Sequence, residues 1–147
     1  MRDPIEYASD RFQNGFSCSQ AILMAFGPQL ELPEEVCSRI ASPFGGGIVS
    51  QGETCGAVSG ALMTLGLKFG PSTGINKDEI NQKGAEFIER FKTEHESIRC
   101  KQLLSYDISK PEELQTARKS QEFKSICPGL VRSAADILVS LIEPTHK

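Results

Sequence analysis

No two cysteines in this sequence stand two residues apart, so the paired thiols of a thioredoxin-like centre and the knuckle of a conventional zinc site are both missing. There is no haem attachment motif either. Gly45-Gly46-Gly47 lacks the lysine and hydroxyl residue that complete a phosphate-binding loop, which disfavours a nucleotide site. The opening Met1-Arg2-Asp3-Pro4-Ile5-Glu6-Tyr7 has neither the basic start nor the apolar run of a secretory signal, and the chain is expected to remain in the cytoplasm. The longest apolar stretch read from the sequence, around Ala57 to Leu67, falls far short of the roughly 20 residues that span a bilayer, so no membrane insertion is expected. Nor is there a marked excess of charge. With 16 Lys plus Arg against 19 Asp plus Glu the net charge is −3, and both signs run along the whole chain, which argues against nucleic acid or an anionic membrane as the main partner. Alternating β-branched runs, internal repeats and low-complexity tracts are absent.

What remains is a chain of 147 residues that fits one domain, 1–147, and can bury about two-thirds of its unfolded surface without a disulfide staple. Its hydrophobic period is helical nearly everywhere, which predicts an all-α bundle of about five to seven helices. Pro4 opens a first helix carrying Ile5, Ala8 and Phe12, and Asn14-Gly15 stops it. Ser17 caps a second, with Ala21, Ile22, Leu23 and Phe26, ending at Gly27-Pro28. Pro33 suits the start of a third, whose inner face is Val36, Cys37 and Ile40. Pro43 to Ile48 reads as a glycine-rich loop, followed by a helix from Thr54 to about Leu67. A longer helix runs from about Lys77 to Lys92, short segments begin near Ser97 and Pro111, and a last helix spans Pro128 to about Ile142.

Four of the five cysteines fall at these helix starts: Cys18 after Ser17, Cys55 after Thr54, Cys100 three residues after Ser97, and Cys127 just before Pro128. The first turn of a helix offers unpaired N–H groups and the positive end of the macrodipole, and both favour thiolate, the form that attacks disulfides and binds metals. Cys37 is different, mid-helix and without a cap, and reads as a small core hydrophobe. In Cys55-Gly56-Ala57-Val58-Ser59-Gly60-Ala61 the small residues let another backbone approach, so Gly56 and Gly60, with Gly45, Gly46 and Gly47, are candidates to cradle a cofactor; ordinary small-residue packing explains them equally. His95, between Glu94 and Glu96, and His146 read as surface residues. Glu34-Glu35 and Glu112-Glu113 sit where acidic side chains simply favour the helix dipole.

Several of these features together resemble the redox protein family named for a C_GCAxxG_C_C cysteine pattern. They are Asn14-Gly15-Phe16-Ser17-Cys18-Ser19-Gln20-Ala21, the Phe44-Gly45-Gly46-Gly47-Ile48 loop, the Cys55 to Ala61 segment with Leu65-Gly66-Leu67 behind it, Cys100 followed by Leu103-Leu104, and Cys127 followed by Leu130-Val131. The order is the family's, over nearly the whole chain, and Cys37 stands outside its four-cysteine set. The resemblance implies redox activity. A related domain in the split-Soret type of cytochrome holds an iron–sulfur centre, which makes Cys18, Cys55, Cys100 and Cys127 candidate cluster ligands here; that cytochrome's haem motif has no counterpart in this chain.

Three readings stand. The four cysteines bind an iron–sulfur cluster for electron transfer or redox sensing; or, with no metal, they act as redox-active thiols cycling between dithiol and disulfide, Cys55 being the expected attacking thiolate; or the chain is an interaction module whose cysteines only pack. A redox partner protein is expected, and a homodimer is compatible with the sequence. The cluster and disulfide readings require the four sulfurs to meet.

Overall fold

The computed structural model describes residues 2–143, the side chain of Glu122 excepted. Eight α-helices follow one another with no strand among the described residues: α1 Pro4–Gln13, α2 Cys18–Phe26, α3 Glu34–Ala41, α4 Gly56–Phe69, α5 Asp78–His95, α6 Cys100–Leu104, α7 Pro111–Ser120 and α8 Glu122–Ile142. The all-α class holds; the count exceeds the expected five to seven because α6 and α7 are helices in their own right. His146 lies outside the described residues.

Local chemistry explains the early boundaries. Asp3 caps α1 by accepting from the Ile5 N–H, with Pro4 in the first turn, where its missing N–H costs nothing. Ser17 and Gln20 form a reciprocal capping box at α2: the Ser17 Oγ accepts from the Gln20 N–H at 3.3 Å and the Gln20 Oε1 accepts from the Ser17 N–H at 2.9 Å. The first residue of α2, Cys18, is thereby fixed in orientation.

α2 is the hub. It packs against α1, α3, α4 and α8, while α5 closes on α4 and α8, and α6 and α7 lean on α8. The α2–α4 crossing is very close because α4 presents glycines to it: a Cβ at Gly60 would lie 2.8 Å from the Ser19 carbonyl oxygen, and one at Gly56 would lie 2.9 Å from the Ser19 amide nitrogen. Ser19, fully buried there, satisfies its hydroxyl by donating to the Ala41 carbonyl at 2.9 Å. The main core gathers Ile22, Val58, Leu65, Phe87, Phe91, Val131, Ile137 and Leu138.

Four features differ from the sequence reading. α8 begins at Glu122 rather than Pro128, so Pro128 lies inside it and Cys127 is its sixth residue. α4 starts at Gly56, with Cys55 as its cap residue. Ile40 is exposed, because Cys37 and Ala41 take the buried positions of the short α3. Within the glycine-rich segment, Ser42–Phe44 form a turn of 3-10 helix. The longer α8 also contains a 20-residue stretch, Phe123–Ile142, with mean hydropathy 1.5, long and apolar enough by composition to cross a membrane. Its apolar stripe, Val131, Ala134, Ala135, Ile137 and Leu138, is buried in the core, which accounts for that composition.

The segment after Phe44 is unusual. Gly46, Gly47, Ile48, Val49 and Ser50 all have positive φ, between 43° and 72°, a left-handed run in which only the two glycines are at ease. It is held by hydrogen bonds from the Ser50 N–H to the Gly45 carbonyl, the Gly52 N–H to Gly46 and the Glu53 N–H to Gly47, at 2.8–3.0 Å. Val49 is strained at φ 43° and 58% exposed, so its side chain contributes little packing in return. Val49→Gly is therefore expected to raise stability by about 0.5–1 kcal/mol, the relief of left-handed strain less the larger unfolded-state entropy of glycine. Denaturant unfolding checks this; a loss of stability would show that the Val49 side chain holds the loop.

Candidate functional site

The left-handed run leads straight into the one β-bridge among the described residues, between Thr54 and Arg99. Its hydrogen bonds bind the two flanking cysteines directly: the Cys55 N–H donates to the Ile98 carbonyl at 2.7 Å, and the Cys100 N–H donates to the Glu53 carbonyl at 2.6 Å. An ion pair between Arg99 and Glu53 at 3.1 Å sits across the same junction. Cys55 and Cys100, 45 residues apart in sequence, are thus brought together by backbone pairing that no sequence periodicity signals.

Cys18 reaches the same place from the start of α2, through the close α2–α4 crossing: a Cβ on Gly56 would lie 3.3 Å from the Cys18 Cβ. Cys127 comes from α8, and its thiol lies beside that of Cys18. All four cysteines line one cavity of about 460 Å³. Its walls are largely apolar, with Phe12, Phe16, Leu104, Ile108, Leu114, Phe123 and Leu130; Ser17 and Ser50 add hydroxyls, and Arg118 is the one charged lining residue among the described residues. Gly46, Gly47 and Gly56 line it as well. Gly45 and Gly60 stand outside the lining, filled against Ser17 and Ser19 respectively, where a Cβ would come within 2.8 Å of either neighbour.

Cys37 is elsewhere. It packs with Leu23, Met24 and Ala41 in a separate cluster and its sulfur donates to the Leu32 carbonyl at 3.4 Å. Burial, followed by the nearby Glu34 charge, pushes its thiol up to about 11. Cys37→Ala is expected to leave cofactor content and redox titration unchanged and to cost about 1 kcal/mol in stability, the scale of a small buried deletion. Metal analysis beside denaturant unfolding tests this; loss of metal would place Cys37 in the site.

Cys18, Cys55 and Cys100 stand at helix starts, but that placement does not lower their thiols toward thiolate. Cys127 is interior to α8, α6 is a single short helix, and burial outweighs the dipole at the others. Desolvation is the largest effect on Cys55, pushing its thiol up to about 11 even though the Ala57 and Val58 N–H groups favour the thiolate. Cys100 is pushed up to about 12 by burial and by the charges of Cys55 and Cys127. Cys18 lies well above its ordinary value, first through its hydrogen bond with Cys127, then through burial and the neighbouring thiols. Cys55 is only 3% exposed, so it is a buried thiol and not the accessible nucleophile expected from its glycine-rich surroundings.

Among the described residues no three His, Cys, Asp or Glu side chains converge tightly enough to hold a single metal ion. His95 is not among the cavity lining residues and is half-buried, its ring centroid 4.6 Å from that of Phe91. The acidic residues that open α3 and α7 are likewise absent from the lining.

No curated protein and no solved structure matches this chain. One family model does, over residues 16–141, that of "Putative redox-active protein (C_GCAxxG_C_C)". The match takes in all four cavity cysteines and the elements that position them, and the chain belongs to the C_GCAxxG_C_C family of redox-active proteins.

Proposed function

We propose that this chain transfers electrons or senses redox state through an iron–sulfur cluster held by Cys18, Cys55, Cys100 and Cys127. The observation that carries the reading is that four cysteines from four separate segments line a single apolar cavity while the fifth is packed elsewhere. Four sulfur donors are the set such clusters take. A multinuclear cluster also holds its ligands further apart than one ion does, which suits an array too open for a mononuclear site. Gly47 leaves space at the wall: a Cβ there would meet the Cys100 Cβ at 2.7 Å.

When bound, the cluster would supply reversible one-electron chemistry near neutral pH. The residues of the chain do the rest. Burial holds the thiols of Cys18, Cys55 and Cys100 toward the protonated form, so ligation there releases protons and loading weakens as pH falls. Phe12, Phe123 and Leu130 make the wall beside the sulfurs apolar, and the α2–α4 crossing together with the Thr54–Arg99 bridge keeps the donors in place.

Anaerobic reconstitution of the full chain with iron and sulfide tests the proposal. The expected product is brown, holds iron and acid-labile sulfide in equal amounts, and bleaches on reduction. Colourless, iron-free protein would overturn it. One observation favours a second reading in that event: Cys18 and Cys127 are neighbouring thiols in the cavity, and together they could form a disulfide by giving up two electrons and two protons to an oxidant. Mass mapping of oxidised, iron-free protein would then show a Cys18–Cys127 link.

A further inference from the structure

Cavity walls of cysteine, glycine, serine and apolar side chains carry no charge of their own, and among the described residues no carboxylate lines this one. Arg118 is the exception. It stands in the last turn of α7 with an exposed side chain, so its guanidinium is always charged and open to solvent. Among the described residues no carboxylate is paired with it. A lone cation at the edge of a low-dielectric recess focuses its field into that recess and draws anions inward. The planar fork of donors on arginine suits a carboxylate in particular.

We propose that Arg118 is an anion-recognition residue at the mouth of the cysteine cavity, and that it selects small anionic sulfur compounds, thiols and disulfides bearing carboxylates, as the molecules that reach the four sulfurs. The apolar wall around Phe12, Leu114 and Phe123 accepts the body of such a molecule, the cysteines meet its sulfur, and Arg118 holds its carboxylate. The inference rests on the shared cavity and not on a bound cluster.

Arg118 has a competing structural role, since Arg118 and Lys119 are both basic residues in the last turn of α7, where cations complement the helix dipole. Lys119 does not line the cavity, which makes it the control. The assay uses reduced, iron-free full-length protein and two aromatic disulfide probes, one carrying a carboxylate on each ring and one neutral. With either probe a cysteine thiolate attacks one reagent sulfur, a new S–S bond forms, the reagent S–S bond breaks, one aromatic thiolate leaves, and the cysteine proton passes to water.

At low ionic strength Arg118→Gln is expected to slow the anionic probe about tenfold, at the lower end of electrostatic steering effects, while leaving the neutral probe unchanged. Arg118→Lys should retain most of the preference, Lys119→Gln should keep all of it, and added salt should erase it. A preference for the anionic probe that survives in Arg118→Gln, or an equal change with both probes, would overturn the proposal. Either result is independent of whether the purified protein contains iron, so it is separable from a failure of the cluster reading.

Discussion

Replacing any one of Cys18, Cys55, Cys100 or Cys127 by alanine is expected to remove most of the iron from reconstituted protein, to about a tenth of the wild-type content or less, because each supplies a donor that no neighbour can replace. Apart from the cysteines, the polar side chains among the described lining residues are the hydroxyls of Ser17 and Ser50 and the cationic Arg118, and neither type substitutes for thiolate. The nearest spare thiol, Cys37, is locked in the α2–α3 cluster by its contact with the Leu32 carbonyl. The loss should be similar at all four positions and absent in Cys37→Ala, and that four-against-one contrast is what identifies the site. Iron and sulfide assays on the five variants, with circular dichroism to confirm that each stays helical, measure it. Full iron retention in any of the four would remove that residue from the ligand set.

Gly47→Ala is expected to be the most damaging single change outside the cysteines. Gly47 has φ +72°, and an added Cβ would come within 2.6 Å of the Glu53 amide nitrogen, 2.7 Å of the Cys100 Cβ and 2.8 Å of the Gly52 carbonyl carbon. Two of those atoms are backbone and the third belongs to a candidate ligand, so no flexible side chain can yield. Left-handed strain together with overpacking puts the cost at about 3 kcal/mol. The same displacement moves Cys100 off its bridge to Glu53, so cofactor loading should fall with stability. Gly129→Ala is the contrast: on exposed helix with nothing within 4 Å of the added methyl, it should stabilise by about 0.5–1 kcal/mol. Denaturant midpoints for the two variants, moving in opposite directions, are the expected outcome.

The sequence was most informative where local rules act alone. Asp3-Pro4 and the Ser17/Gln20 box mark α1 and α2 because capping is decided within four residues. α8 was hidden because Pro128 has the look of a helix start, whereas the polar turns before it continue the same helix and the proline merely omits one hydrogen bond. The convergence of the cysteines was expected from their helix-start placement, yet Cys127 arrives from a helix interior, and Cys55 and Cys100 are joined by a single bridge that leaves no periodic trace. For thiol acidity the structure adds an opposing effect that the sequence does not display: the dipole of a first turn is modest, and desolvation in a buried cavity is larger and of opposite sign. The left-handed run was unreadable too, since Ile48 and Val49 are among the residues least suited to positive φ.

Diffraction measured at the iron absorption edge, on crystals of the full chain prepared and grown without oxygen, tests the central claim most directly. Anomalous density is expected inside the cavity, bounded by the sulfurs of Cys18, Cys55, Cys100 and Cys127 and by no other side-chain donor. A cavity holding only solvent, or a disulfide between any two of those cysteines with iron absent or bound elsewhere, would contradict it.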